Sequence, residues 1–329
     1  MSEALTVLLK TVSMFLIMLL GWAARRGGLL PGVVAGALSR FVVDVAYPAL
    51  VFTQMAQTAN LAVLRGSWYY PLLGAAIILV GEVVGLITAG AFAPKEKRST
   101  FVFLVAVCNW IYLPLPIVGA LYGEEGFRAV LLFNVGTQVM LWTVALWTLR
   151  GGRPDLAGLK AIILNPGLLA TAAGIMLALV APVVAKKPDG GFFCPVALGG
   201  AVMEATALVG SLTVPLSLVV TGVQLGGLAA TEERWSRALL GVLAARLAMA
   251  PLAMVVLVRA VGWAGVHIPE VPRLAAYIIS AMPVAISCSI FTERFGGDTS
   301  LAARGIFYST LLSIVTMPTF VFLVRLGDL

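Results

Sequence analysis

Charge is what this 329-residue chain has least of. Asp, Glu, Lys and Arg together make up 11% of it, where a soluble globular protein carries about 25%. Histidine is represented by His267 alone and cysteine by Cys108, Cys194 and Cys288. One histidine argues against a histidine-based zinc site and against a Ser-His-Asp triad. An odd number of cysteines without metal-ligand spacing supplies no metal frame. Cys108 and Cys288 lie inside apolar runs and read as small packing residues. No nucleophile–base pair and no cofactor loop stands out, so neither an enzyme nor a cofactor is expected.

What the chain has in plenty is apolar surface: 60% of its residues are hydrophobic and its mean hydropathy is +1.02. A water-soluble domain of this size would expose far more than the few hundred Å² of apolar patch that soluble monomers tolerate. The composition therefore predicts a polytopic protein embedded in the lipid bilayer. One helical crossing takes about 20 apolar residues. Apolar runs fall at about 5–24, 37–57, 69–92, 100–121, 127–149, 161–185, 201–225, 237–259, 272–292 and 302–325, which predicts ten transmembrane helices. The runs are continuous rather than alternating, which disfavours a β-barrel. The first lacks a basic leader and a small-residue cleavage site, and reads as a span rather than a cleaved signal.

The net charge of +7 is scattered in ones, twos and threes between the runs. Nucleic-acid binding would need it gathered on one surface, so the basic residues read as topology signals and no nucleic-acid partner is expected. Arg25, Arg26, Lys95, Lys97, Arg98, Arg150 and Arg153 share one side. The positive-inside bias then places the N- and C-termini outside the cytoplasmic membrane.

Proline supplies the main inference. Pro48 and Pro116 are 68 residues apart, as are Pro215 and Pro283, and the two pairs are offset by 167 residues, about half the chain. The loops after the fourth and ninth runs, Tyr122-Gly123-Glu124-Glu125 and Phe295-Gly296-Gly297-Asp298, also rhyme. Two halves of five helices each, residues 1–153 and 154–329, would face opposite ways. This inverted-topology repeat is the architecture of many secondary transporters. A proline inside a helix removes a hydrogen bond and breaks or kinks it. Helices four and nine are therefore expected to be broken near mid-bilayer, where freed backbone ends are tolerated only against protein or a wet cavity. Half-helix N-termini suit an anionic substrate.

The candidate substrate-binding residues are Asn109, Pro114, Pro116, Gln138, Ser280 and Pro283. Each has a second reading. Asn109 either donates to substrate or links two helices. Gln138 leans toward a polar seam with Asn134 and Thr137, and the prolines are kinks unless the repeat pairs them. Glu82, flanked by long apolar stretches, is the candidate proton-coupling site, because a carboxyl shielded from water can load and release a proton. Asp44, Glu204 and Arg246 are the other charges near or within the runs: Asp44 precedes Pro48 by one turn, Glu204 lies near the outer end of its run, and Arg246 could pair with an acid or attract a substrate carboxylate, while the plain reading of each is an ion pair or a snorkelling side chain.

The strings FVVDVAYPALVF, CNWIYLPLPIVGALYG, TQVMLWT, LNPGLLA, RLAMAPL, AMPVAIS and FYSTLLSIVTMP, in this order and spacing, resemble the auxin efflux carrier family. That family includes the plant PIN-type exporters and bacterial malate or malonate permease-like transporters, and the resemblance runs through nearly the whole chain. It implies an all-α fold of ten transmembrane helices in two inverted five-helix repeats, with broken helices 4 and 9 crossing at Pro116 and Pro283. Residues matching Asn109 and Gln138 border a carboxylate-receiving site in the plant members. It further implies a homodimer in which helices 3–5 and 8–10 move as a transport domain, in an elevator motion, against a scaffold of helices 1, 2, 6 and 7. Pro114 departs from the small residue usual at its position, and the large cytoplasmic loop of the long plant members is absent. The expected function is a secondary transporter of small organic anions such as mono- or dicarboxylates. The alternative is a sodium-coupled organic anion symporter of the bile-acid symporter type.

Overall fold

The structure, a computed structural model, describes residues 3–151, 164–181, 198–227 and 235–327. The expected boundary at 153/154, the ends of the sixth apolar run and Cys194 lie outside the described residues. Among the described residues the fold is all helical. No strand is present, and there is one isolated bridge, between Cys108 and Val284.

The helices, in chain order, are α1 (Glu3–Arg26), α2 (Gly32–Phe41), α3 (Tyr47–Thr58), α4 (Leu61–Gly66), α5 (Tyr70–Phe92), α6 (Arg98–Ala106), α7 (Pro114–Met140) and α8 (Leu146–Leu149). They continue with α9 (Pro166–Val180), α10 (Leu198–Ser211), α11 (Thr213–Gly227), α12 (Arg237–Ala244), α13 (Ala250–Trp263), α14 (Glu270–Ser280), α15 (Ser287–Phe295) and α16 (Thr299–Gly327). Some of these run on as one rod through a single π-helical turn: α2 into α3 at Val42–Ala46, α7 into α8 at Leu141–Ala145, and α12 into α13 at Ala245–Met249.

Two of these wide turns have a visible cause. Pro48 and Pro251 each stand two residues past the turn and have no N–H for the carbonyl four residues back. The preceding residue bonds five back instead, Tyr47 N–H to the Val42 carbonyl and Ala250 N–H to the Ala245 carbonyl.

Six stretches are long and apolar enough to cross a membrane: Gly32–Gln57, Tyr70–Phe92, Pro114–Leu149, Gly199–Gly227, Arg237–Trp263 and Thr299–Val324. Their outward faces are greasy, as in Ile87, 73% exposed, and Val315, 69% exposed. Apolar exposure on helices long enough to cross a bilayer fits a lipid-facing surface. The chain is a multi-pass membrane protein. The fourth and ninth apolar runs do not make whole spans, because each is interrupted. The pieces α6, α14 and α15 have 9, 11 and 9 residues, and nine residues rise only about 14 Å. The stretch from Pro114 to Leu149 is in turn two helices. Gly123, at φ 58° and ψ −140°, turns the chain back on itself. This backbone conformation is open to glycine, and it falls where the sequence separates the fourth and fifth runs.

The chain divides into two compact units. One comprises residues 1–16, 70–159 and 228–329, the other 17–69 and 160–227. In the second, α3 packs against α9 and α10. In the first, α5 is the central rod, packed on α6 and α7. All the candidate site residues belong to this first unit.

Candidate functional site

The interruptions of the fourth and ninth runs meet. Helix α6 ends at Ala106 and the chain becomes extended at Val107, while α14 ends at Ser280. The Asn109 N–H donates to the Pro283 carbonyl at 2.8 Å, and the Ala285 N–H to the Val107 carbonyl at 3.0 Å. Between them Cys108 faces Val284 as a short antiparallel bridge. The Val284 N–H turns to Ser309 Oγ on α16, at 3.1 Å. Buried main-chain groups released by two broken helices thus find one another, as an apolar surrounding requires.

The prolines divide between two roles. Pro283 is in the crossing itself. Pro114 and Pro116 are the first and third residues of α7, a place where a missing N–H costs little. The residue opposite Pro283 is Asn109, seven positions before Pro116. Proline disfavours the helix on its N-terminal side, so the unwound residues precede it.

Asn109 is buried. Its Oδ1 accepts the Tyr112 N–H at 3.1 Å, which leaves the amide NH₂ as the donor that can face a solute. Next to it, the Trp110 indole N–H donates to Asn134 Oδ1 at 2.9 Å. Asn134 is fully buried, its Nδ2 has no partner, and the Thr137 hydroxyl donates to its carbonyl at 3.0 Å. The polar link between elements therefore runs from the interruption to α7 through Trp110 and Asn134, and the Thr137 bond stays within α7. Gln138, half-buried near the end of α7, stays outside this link. Ser280 turns its hydroxyl back to the Tyr277 carbonyl at 2.7 Å and offers its main-chain carbonyl instead.

That carbonyl is taken by Arg246, whose side chain is 0% exposed. One terminal nitrogen donates to the Val105 carbonyl at 2.6 Å and the other to the Ser280 carbonyl. Arg246 thus holds the C-terminal ends of both half-helices leading into the crossing. Sequence reasoning did not bring it there. The available signal was a lone arginine in an apolar run with a proline five residues on.

Glu82 on α5 is buried and accepts a hydrogen bond from the Thr148 hydroxyl through Oε1, while Oε2 has no partner. The preceding residue, Gly81, lies against the end of α6. A Cβ there would stand 2.7 Å from Ala106 Cα and 2.8 Å from the Val105 carbonyl oxygen, so only glycine lets α5 come this close. Glu204 and His267 are exposed. No group of three or more His, Cys, Asp or Glu side chains among the described residues could hold a metal ion. A shallow cleft beside Tyr122, Tyr277 and Phe320 contains none of the candidate residues.

Comparison with known proteins matches the membrane transport protein family model over residues 6–157 and 156–321. The chain belongs to this family, the auxin efflux carrier family that its motifs resemble. An uncharacterized transporter of Methanothermobacter thermautotrophicus is 23% identical over 314 residues, covering 93% of this chain and 95% of that protein. Family membership and a multi-pass fold together make the protein a membrane transporter.

Proposed function

We propose that the protein is a secondary carrier of small organic anions, mono- or dicarboxylates, across the cytoplasmic membrane. The observation that carries this reading is the crossing itself: two interrupted helices paired through Asn109 and Pro283, each interruption followed by the beginning of a further helix, α7 and α15. Helix N-termini attract negative charge. Two of the first three residues of α7 are prolines and bring no N–H, so the Asn109 side chain supplies the donor that the main chain lacks there. Glu82 is the proton-coupling candidate in the same unit.

The reading includes ten crossings as two inverted repeats with both termini outside. It also includes a homodimer and an elevator motion in which the unit containing the crossing carries the anion. Uptake of a panel of radiolabelled carboxylates into proteoliposomes, with and without a sodium or pH gradient, tests it. Saturable uptake of at least one carboxylate is expected, reduced roughly 10- to 100-fold by Asn109→Ala, the equivalent of one hydrogen bond to a charged group. Absence of uptake for every carboxylate rejects the reading.

A further inference from the structure

The two half-helices that enter the crossing, α6 and α14, end with carbonyls that have no onward helix to bond. Each C-terminus carries the equivalent of about −0.5 elementary charge. In broken-helix transporters such ends are places where a coupling cation binds. Here they converge on one side chain. Arg246 reaches the Val105 carbonyl from one nitrogen and the Ser280 carbonyl from the other, partners 141 and 34 residues away in sequence. It is completely buried, and no carboxylate among the described residues stands within ion-pair distance of it. A buried guanidinium needs compensation, and two helix ends of about −0.5 each supply roughly one opposite charge.

We propose that Arg246 is a built-in cation occupying the position between the two half-helix C-termini, so that the carrier handles its anion without a sodium ion at the crossing. The proposal rests on the carrier reading above and decides between its two forms, since a sodium symporter would leave these carbonyls for the ion. Arg246 is a positioning residue. Both of its terminal nitrogens are engaged and its side chain is sealed from solvent, so it does not itself meet a solute. Its surroundings are built for it. The π-helical turn Ala245–Met249 that carries it ends two residues before Pro251, which has no N–H for the Leu247 carbonyl, and Gly81 leaves room for the Val105 carbonyl it binds.

The test uses the full chain in lipid nanodiscs with sodium alone as the probe, comparing sodium chloride with choline chloride at equal ionic strength. Thermal midpoint and binding of radioactive sodium are read. The wild type and Arg246→Lys, which keeps a cation in place, are expected to show no sodium binding above background and the same midpoint in both salts. Arg246→Ala, with its carbonyls freed, is expected to bind sodium and to melt a few degrees higher in sodium than in choline. If Arg246→Ala does not fold, Arg246→Gln takes its place with the same expectation.

Sodium binding by the wild type, sodium binding by Arg246→Lys, or a folded charge-free variant blind to sodium each overturns the proposal. Because no carboxylate enters this experiment, the outcomes separate. A wild type that fails the uptake panel yet behaves as described toward sodium removes the anion-carrier reading and leaves the role of Arg246 standing.

Discussion

Asn109 does two things with one amide, and they can be separated. Its oxygen caps the Tyr112 N–H, and its nitrogen is the donor available to a solute. Asn109→Asp keeps an oxygen for the cap but replaces the donor with a negative charge. This variant is expected to melt within a degree or two of the wild type while losing carboxylate binding. Asn109→Ala is expected to lose both the cap, worth about 1 kcal/mol, and binding. Equal binding in wild type and Asn109→Asp, measured by scintillation proximity, would remove the amide from the site. Glu82 poses a similar question. Glu82→Gln preserves shape and an acceptor for the Thr148 hydroxyl but cannot titrate. It is expected to leave the fold intact and to flatten the pH dependence of uptake. An unchanged pH profile would assign the coupling elsewhere.

Both residues were legible in the sequence because an amide or carboxyl in a long apolar run is conspicuous by itself. Arg246 was equally conspicuous as a residue. Its role was not legible, because its partners are main-chain carbonyls far away in sequence, and a carbonyl leaves no letter in the text.

At the level of helices, the sequence states where a helix is obstructed but not where the chain unwinds. Pro114 and Pro116 announce the first interruption correctly. The unwound residues begin directly after Ala106, and the pairing to Pro283 is made by Asn109. An offset of 167 residues matches proline to proline, whereas the backbone pairs Cys108 with Val284. The exchange of hydrogen bonds decides the register, and this depends on tertiary geometry. The π-helical turns follow the same logic with a clearer cause. Pro251 lacks the N–H that would close a normal α-turn onto the Leu247 carbonyl, and the widened turn that results sets the direction of Arg246. Pro251→Ala restores that N–H. The variant is expected to tighten the turn toward α-helix, to melt no lower than the wild type, and to transport several-fold more slowly because Arg246 no longer reaches both carbonyls. Initial uptake rates measured beside thermal midpoints check this. A slower carrier of unchanged stability is the signature of a displaced side chain, whereas parallel losses would indicate simple unfolding.

The whole chain must bring distant segments to one side of a membrane, and one ion pair records this. Lys97 Nζ stands 3.1 Å from Asp298 Oδ2, and the Asp298 N–H donates to Thr100 Oγ1 at 2.8 Å. Two residues in contact lie on the same side, so the chain crosses an even number of times between them. Asp298 also begins α16, with Oδ1 accepting the Leu301 N–H at 2.8 Å. Partial burial alone would push its carboxyl up. The Leu301 N–H, the Lys97 ammonium and the Arg304 charge outweigh this and hold it below its ordinary value of 3.8. A carboxyl lowered on folding stabilises the folded state at every pH above its unfolded value, and that contribution disappears as pH falls through the lower folded value. Asp298→Asn keeps a helix-capping oxygen but not the charge. It is expected to melt slightly below the wild type at neutral pH, by less than about 1 kcal/mol because the pair is partly exposed. The difference should persist down to about pH 4 and then close as the wild-type carboxyl is protonated. Thermal midpoints of the two proteins measured across that range in the same lipid decide the matter. A gap that stays open into strong acid would mean that Asp298 acts through its shape as a cap, and that Lys97 contributes nothing through charge to joining these two loops.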